Sequence, residues 1–182
     1  MRTLFGVILL LVTVLSSVAM GFDPKVVYLE EFPQYNWAVR GVIFNEQKKV
    51  YCLMGYVNND RKGAILLDYN TQNNTVKYSV RWNEWNLPKG QTGTLYLRWM
   101  SGNRQRAFHH YPFKVLEVNM IEANIPSDMF PDFAIEFAKN NYVEMYLPAD
   151  TDRVIFDLSG TEKVIPSFIN CLTNKPSPQN IR

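Results

Sequence analysis

The stretch KKVYCLMGYVNNDRKGAILLDYNTQNNTVKYSVRW, Lys48 to Trp82, holds three short apolar runs separated by two clusters of turn residues. In the last run Val76, Tyr78 and Val80 alternate with Lys77, Ser79 and Arg81. Successive side chains of a strand point to opposite faces, so the run predicts a strand with one apolar and one polar side. In the first run Val50, Cys52, Met54 and Tyr56 share a face, which sends Cys52 toward an apolar set. "VNNDRKG" and "NTQNN" supply the Asn, Asp and Gly residues that tolerate tight turns.

The same grammar extends in both directions. "WAVRGVIF" precedes the stretch; "GTLYLRWM", "FKVLEV", "YVEMYL" and "RVIFDL" follow it, with "LPKGQTG" and "SGNRQ" as further breakers. Many short strands rich in β-branched and aromatic residues predict a mostly β fold, an antiparallel sandwich or jelly roll, rather than alternating β and α units. Two helices interrupt it. In "SDMFPDFAIEFAKNN", Phe130, Phe133, Ala134, Phe137 and Ala138 recur at helical spacing, and Pro131 suits a first turn. At the end of the chain Val164, Ile165, Phe168, Cys171 and Leu172 do the same, although Pro166 requires a helix that starts near it or kinks there. Gly160 allows the sharp exit from the last strand, Ser159 or Thr161 can cap the helix, and Ser159 with Glu162 has the spacing of a capping box.

The first residues, MRTLFGVILLLVTVLSSVAMG, combine one cation, an apolar run from Leu4 to Leu15 and small residues at Ala19 and Gly21. This is the layout of a secretory leader, too short to span a bilayer, with cleavage expected before Phe22. The chain then reads as a leader over 1–21, one domain over 22–172 and a polar, proline-bearing tail over 173–182. Export favours pairing of the two cysteines, Cys52 and Cys171, for which a single connectivity exists. A formal net charge of +2 gives no reason to expect a nucleic-acid partner, and no second apolar run predicts a membrane span once the leader is removed.

Residues 158–171 read Leu-x-Gly-Thr-x-x-Val-Ile-x-x-Phe-x-x-Cys. This resembles the terminal signature of exported bacterial β-sandwich proteins of the invasion-associated locus B type and their relatives. "YNWAVRG", the Cys52 strand with its Gly-led successor, "WNLPKGQTGTLYLRW" and "MIEANIPSDMFPDFAIEFAKNNYVEMYL" are similar to further elements of that family. The resemblance implies a sandwich located in the periplasm or beyond, and little chemistry.

Catalytic groups are sparse. His109 and His110 are the only histidines and, as neighbours on a strand, face opposite ways, so they make no shared metal site. No His-x-x-x-His, Gly-x-Ser-x-Gly or Cys-x-x-Cys occurs, and nothing calls for a cofactor. The acid pairs Glu30/Glu31, Asp128/Asp132 and Asp150/Asp152 have solvated or capping roles available to them. A basic stretch, Arg98, Arg104, Arg106, His109, His110 and Lys114 without an intervening acid, suits either an anionic partner or protection of a sheet edge. Trp85 and Trp99 are candidates for an outward ring that stacks on a sugar or a partner side chain. Asn73-Asn74-Thr75 is a glycosylation triplet, meaningful only in a eukaryotic source. The expected function is therefore a non-catalytic binding protein of the cell envelope with a protein or glycan partner. The alternatives are a cell-wall or glycan enzyme using a carboxylate pair, and a structural subunit of an envelope assembly.

Overall fold

The computed structural model describes residues 25–44, 49–70, 74–147 and 153–174. The leader expected over 1–21, Asn73, Asp150/Asp152 and the tail beyond residue 174 lie outside the described residues. The fold is mostly β, antiparallel throughout, with two helices, the second at the C-terminal end.

Strands β1 (Lys25–Phe32), β2 (Trp37–Phe44), β3 (Lys49–Val57), β4 (Gly63–Asn70) and β5 (Thr75–Trp82) form a meander. The alternation in the Lys48–Trp82 stretch sets its register: Cys52, Met54 and Tyr56 lie opposite Tyr69, Leu67 and Ile65 of β4. The β3–β4 turn closes on Asn58, whose side-chain oxygen accepts from the Gly63 amide at 2.9 Å. β6 (Thr92–Ser101) and β7 (Arg104–Glu117) form a hairpin through Gly102-Asn103, where Gly102 has φ +56°, a left-handed value that glycine adopts without penalty. β8 (Met120–Ile125) then returns to lie between β7 and β5.

Helix α1 (Phe130–Lys139) carries the chain across to β9 (Tyr142–Tyr146), which pairs with β6, and β10 (Val154–Asp157) pairs with β9. The strands form one sheet in the order β1-β2-β3-β4-β5-β8-β7-β6-β9-β10. It bends until Phe156 of β10 meets Tyr56 of β3 and Trp82 of β5 edge-on, with ring centroids 6.1 and 6.0 Å apart. The two halves of this one sheet thereby enclose a core as the faces of a sandwich do.

Helix α1 fills the bend. Pro131 stands in its first turn, where a missing amide costs no intrahelical bond, and Asp132 and Lys139 match the poles of the helix dipole. Phe133 and Phe137 are fully buried against Tyr78 and Trp99. Helix α2 (Thr161–Asn174) lies beside α1 and over β2 and β3. It starts well before Pro166 and runs through it, extending two residues past the domain end expected at 172. Pro166 is the sixth residue of the helix, past the first-turn amides that lack an acceptor, so the helix does without the bond its amide would have donated to the Glu162 carbonyl.

The expected capping box does not form. The Ser159 hydroxyl and amide both donate to Asp157 Oδ1, at 2.7 and 2.8 Å. Thr161 anchors the helix start instead, its buried hydroxyl lying 2.5 Å from the Phe137 carbonyl and 2.7 Å from that of Leu158. Gly160 has φ +86°, and a Cβ there would come within 2.3 Å of the Tyr35 ring. Cys171, one turn beyond Phe168, is joined to Cys52 across 6.0 Å between Cα atoms, and both sulfurs are buried.

Candidate functional site

The basic stretch lies on the β6–β7 hairpin, and the pleat divides it. Leu95, Leu97 and Trp99 of β6 point into the core, so Tyr96 and Arg98 point outward. On β7, Tyr111 and Phe113 are buried, which puts Phe108, His110 and Lys114 on the outer face. Tyr146 of β9 stands opposite Tyr96.

Three rings from three strands gather on that outer face. Tyr96 and Tyr146 stack at 5.2 Å with an 11° angle, Tyr96 and Phe108 at 5.8 Å with 24°, and Phe108 lies 6.5 Å from Tyr146. His110 is 6.2 Å from Tyr96, and the Arg98 guanidinium carbon sits 5.9 Å from the centre of the Tyr146 ring. Phe108 keeps 41% of its surface in solvent despite these neighbours. Burying its ring against a partner would release water from an apolar surface that the fold leaves wet.

The cations flanking the cluster have different duties. Arg98 Nη1 donates to Glu144 Oε2 at 3.3 Å, and Arg153 reaches the same oxygen at 3.5 Å, so Glu144 locks Arg98 beneath the rings. Arg104, Arg106, His110 and Lys114 are exposed, and among the described residues neither Arg104 nor Arg106 has an acid within ion-pair distance. His109 faces the other way: half-buried, it accepts at Nδ1 from Trp99 Nε1 at 3.2 Å. It serves the core rather than the surface.

Trp99 and Trp85 are not outward rings. Trp99 is fully buried between α1 and the sheet, and Trp85 retains only 7% of its surface. Tyr96, Phe108 and Tyr146 take the place expected for them. Tyr96 was legible as the residue facing away from Trp99, whereas no local signal joins Tyr146 to it, because the β6–β9 pairing arises only from the α1 crossover.

Acids gather at one open hollow, of about 620 Å³, bordered by Asp60, Glu144 and Asp157 with Tyr56 and Tyr142. Each acid is engaged: Asp60 Oδ1 accepts from the Lys62 amide, Asp157 caps the turn at Ser159, and Glu144 holds the two arginines. Tyr56 at its edge is pushed up to about 12, chiefly by burial, with Asp157 and Asp60 adding to the shift. Among the described residues no three His, Cys, Asp or Glu side chains lie close enough together to hold a metal ion.

Among the described residues Asp68, on the outer face of β4, is the carboxyl whose proton affinity is clearly altered. Burial pushes it up to about 6, opposed by Lys77 and reinforced by Glu122. Its folded value lies above its ordinary 3.8, so the folded state binds the extra proton between about pH 4 and 6, and stability falls as pH rises through that window. Asp68→Asn is expected to flatten this slope and to raise stability at pH 7 by about 2 kcal/mol, partial solvent screening included. Urea unfolding at pH 4, 6 and 7 checks it: a slope unchanged by the substitution would remove Asp68 as its cause.

Comparison with models of known families, with curated proteins and with solved structures returns no match. Among the described residues, no helix is long and apolar enough to cross a membrane.

Proposed function

We propose that this chain is an exported, non-catalytic binding protein of the cell envelope that recognises a protein or glycan partner through the outer face of β6, β7 and β9. The observation that carries the reading is the half-solvated cluster of Tyr96, Phe108 and Tyr146, held by Glu144-anchored Arg98 and bordered by exposed cations. Clustered aromatic and arginine side chains are typical anchors of recognition surfaces. The leader-like opening, the buried disulfide and the resemblance at the C-terminal end support an exported setting. The acids at the hollow between β3 and β10 are committed to turns and to arginines, which favours binding over acid–base catalysis.

The test is the double substitution Phe108→Ala/Tyr146→Ala, applied to crosslinked capture from the native envelope and to a glycan array. Loss of the wild-type partner, protein or glycan, with an unchanged thermal midpoint supports the reading. Retention of the same partner by the variant sinks it.

A further inference from the structure

Phe113 and Lys114 of β7 pair with β6 on one side and β8 on the other, and Val115 and Glu117 pair with β8, but from Arg104 to Pro112 the only partner strand among the described residues is β6, with a β-bulge at Arg106. β8 pairs no further along β7 than Phe113, and the chain then turns into α1. Among the described residues, the eight from Arg104 to Tyr111 thus present a strand edge with no second partner strand, bulged at Arg106 and ending at Pro112, which has no amide to donate. Phe108 and His110 stand on its outer face, and Arg104 and Arg106 lead into it.

Building on the binding reading above, we infer that this edge is a docking site for an extended acidic segment of another protein, which adds to the sheet as a strand beside β7. Main-chain hydrogen bonds to a free edge supply affinity, and alternate side chains supply choice. On the outer face, the incoming residue opposite Phe108 covers the ring surface that the cluster leaves wet, so an aromatic fits there. Its outer-face neighbour on one side lies opposite His110, and on the other the strand meets the exposed Arg106 at the β-bulge, so glutamate or aspartate fits at both. On the inner face it meets Ala107 and the edge of His109, which call for small side chains such as threonine.

Charge decides between this occupant and a second copy of the chain. Two copies pairing antiparallel through the same edge would set Arg104 and Arg106 against a second basic strand, with no acid from Arg98 to Lys114 on either side. Like charges facing one another across strands destabilise the pair. The row therefore repels a copy of itself and attracts an acidic strand.

The test uses the full mature chain and a labelled synthetic peptide that alternates Glu, Tyr and Glu with Thr, read by fluorescence anisotropy. Two further peptides are N-methylated on alternate amides, one set in each register. Saturable binding is expected, lost in one N-methyl register and kept in the other, because only alternate amides of an added strand face β7. Phe108→Ala is expected to weaken binding by roughly three- to tenfold. Arg104→Glu/Arg106→Glu is expected to abolish it while leaving the thermal midpoint in place. Equal binding by both N-methyl registers, no binding at all, or indifference to the charge reversal would overturn strand addition, as would a stable dimer in sedimentation. If the peptide fails while Phe108→Ala/Tyr146→Ala still loses a partner in the capture or glycan experiments, the inference falls and the binding reading stands. If the double variant loses nothing there either, the reading falls with it.

Discussion

Replacing both Cys52 and Cys171 with alanine is expected to lower the unfolding free energy by about 3–5 kcal/mol, and the thermal midpoint by about 10 °C or more. The bridge spans 119 residues and so closes most of the described chain into one loop. Removing the link returns that loop-closure entropy to the unfolded ensemble, which the chain-entropy relation puts at about 5 kcal/mol for a loop of this length. The native state also loses a direct tie between β3 and α2. Without it, α2 is held by Thr161 against the end of α1, by the Ser167–Glu30 contact and by Phe168 in the core. Those contacts are local enough for α2 to fray from its C-terminal end first. Since both sulfurs are buried, thiol reductants are expected to act slowly on the folded protein and quickly in denaturant. Urea unfolding of the double variant decides the matter, and an unchanged midpoint would mean that the bridge adds nothing to stability.

Local pattern carried most of the fold. Trp37–Phe44 and Thr75–Trp82 are strands at the bounds their alternation and flanking breakers imply. The first half of β7 is harder to read, because in "RQRAFHHYP" a β-bulge at Arg106 breaks the alternation and beyond it the inner side holds only Ala107, His109 and Tyr111. With so mixed an inner face, no apolar alternation marks it as a strand. The exchange of Trp99 for Tyr96 as the outward ring has a related cause: period two says which residues share a face, but which face is buried depends on where α1 lands. Phe133 and Phe137 of α1 lie against Trp99, and that contact turns Tyr96 to solvent. The meeting of Tyr96 with Tyr146 and the insertion of β8 beside β5 are properties of strand order. The first comes from the α1 crossover and the second from the connection that carries the chain from β5 to β6 and leaves room for β8 between β5 and β7, and neither has a local signature.

The second large effect is expected at Phe137. This ring is fully buried and touches Trp37, Tyr78, Trp99 and Phe133 at centroid distances of 6.0, 6.1, 5.1 and 5.2 Å. Three of those partners belong to β2, β5 and β6, so one side chain ties both halves of the bent sheet to α1. Phe137→Ala removes that tie and leaves a cavity walled by rigid aromatic rings, which cannot collapse far into it. A loss of about 3–5 kcal/mol is expected, in the upper range for large-to-small core changes. Ile135→Ala on the same helix is the control. Ile135 is 43% exposed, so its truncation is expected to cost only about 0.5 kcal/mol. Denaturant midpoints at constant slope check both changes, and the near-ultraviolet circular dichroism of Trp37 and Trp99 should weaken in Phe137→Ala alone. Equal losses at the two positions would show that α1 contributes through its backbone rather than through this ring. The bend of the sheet would then need another cause than aromatic packing at its centre.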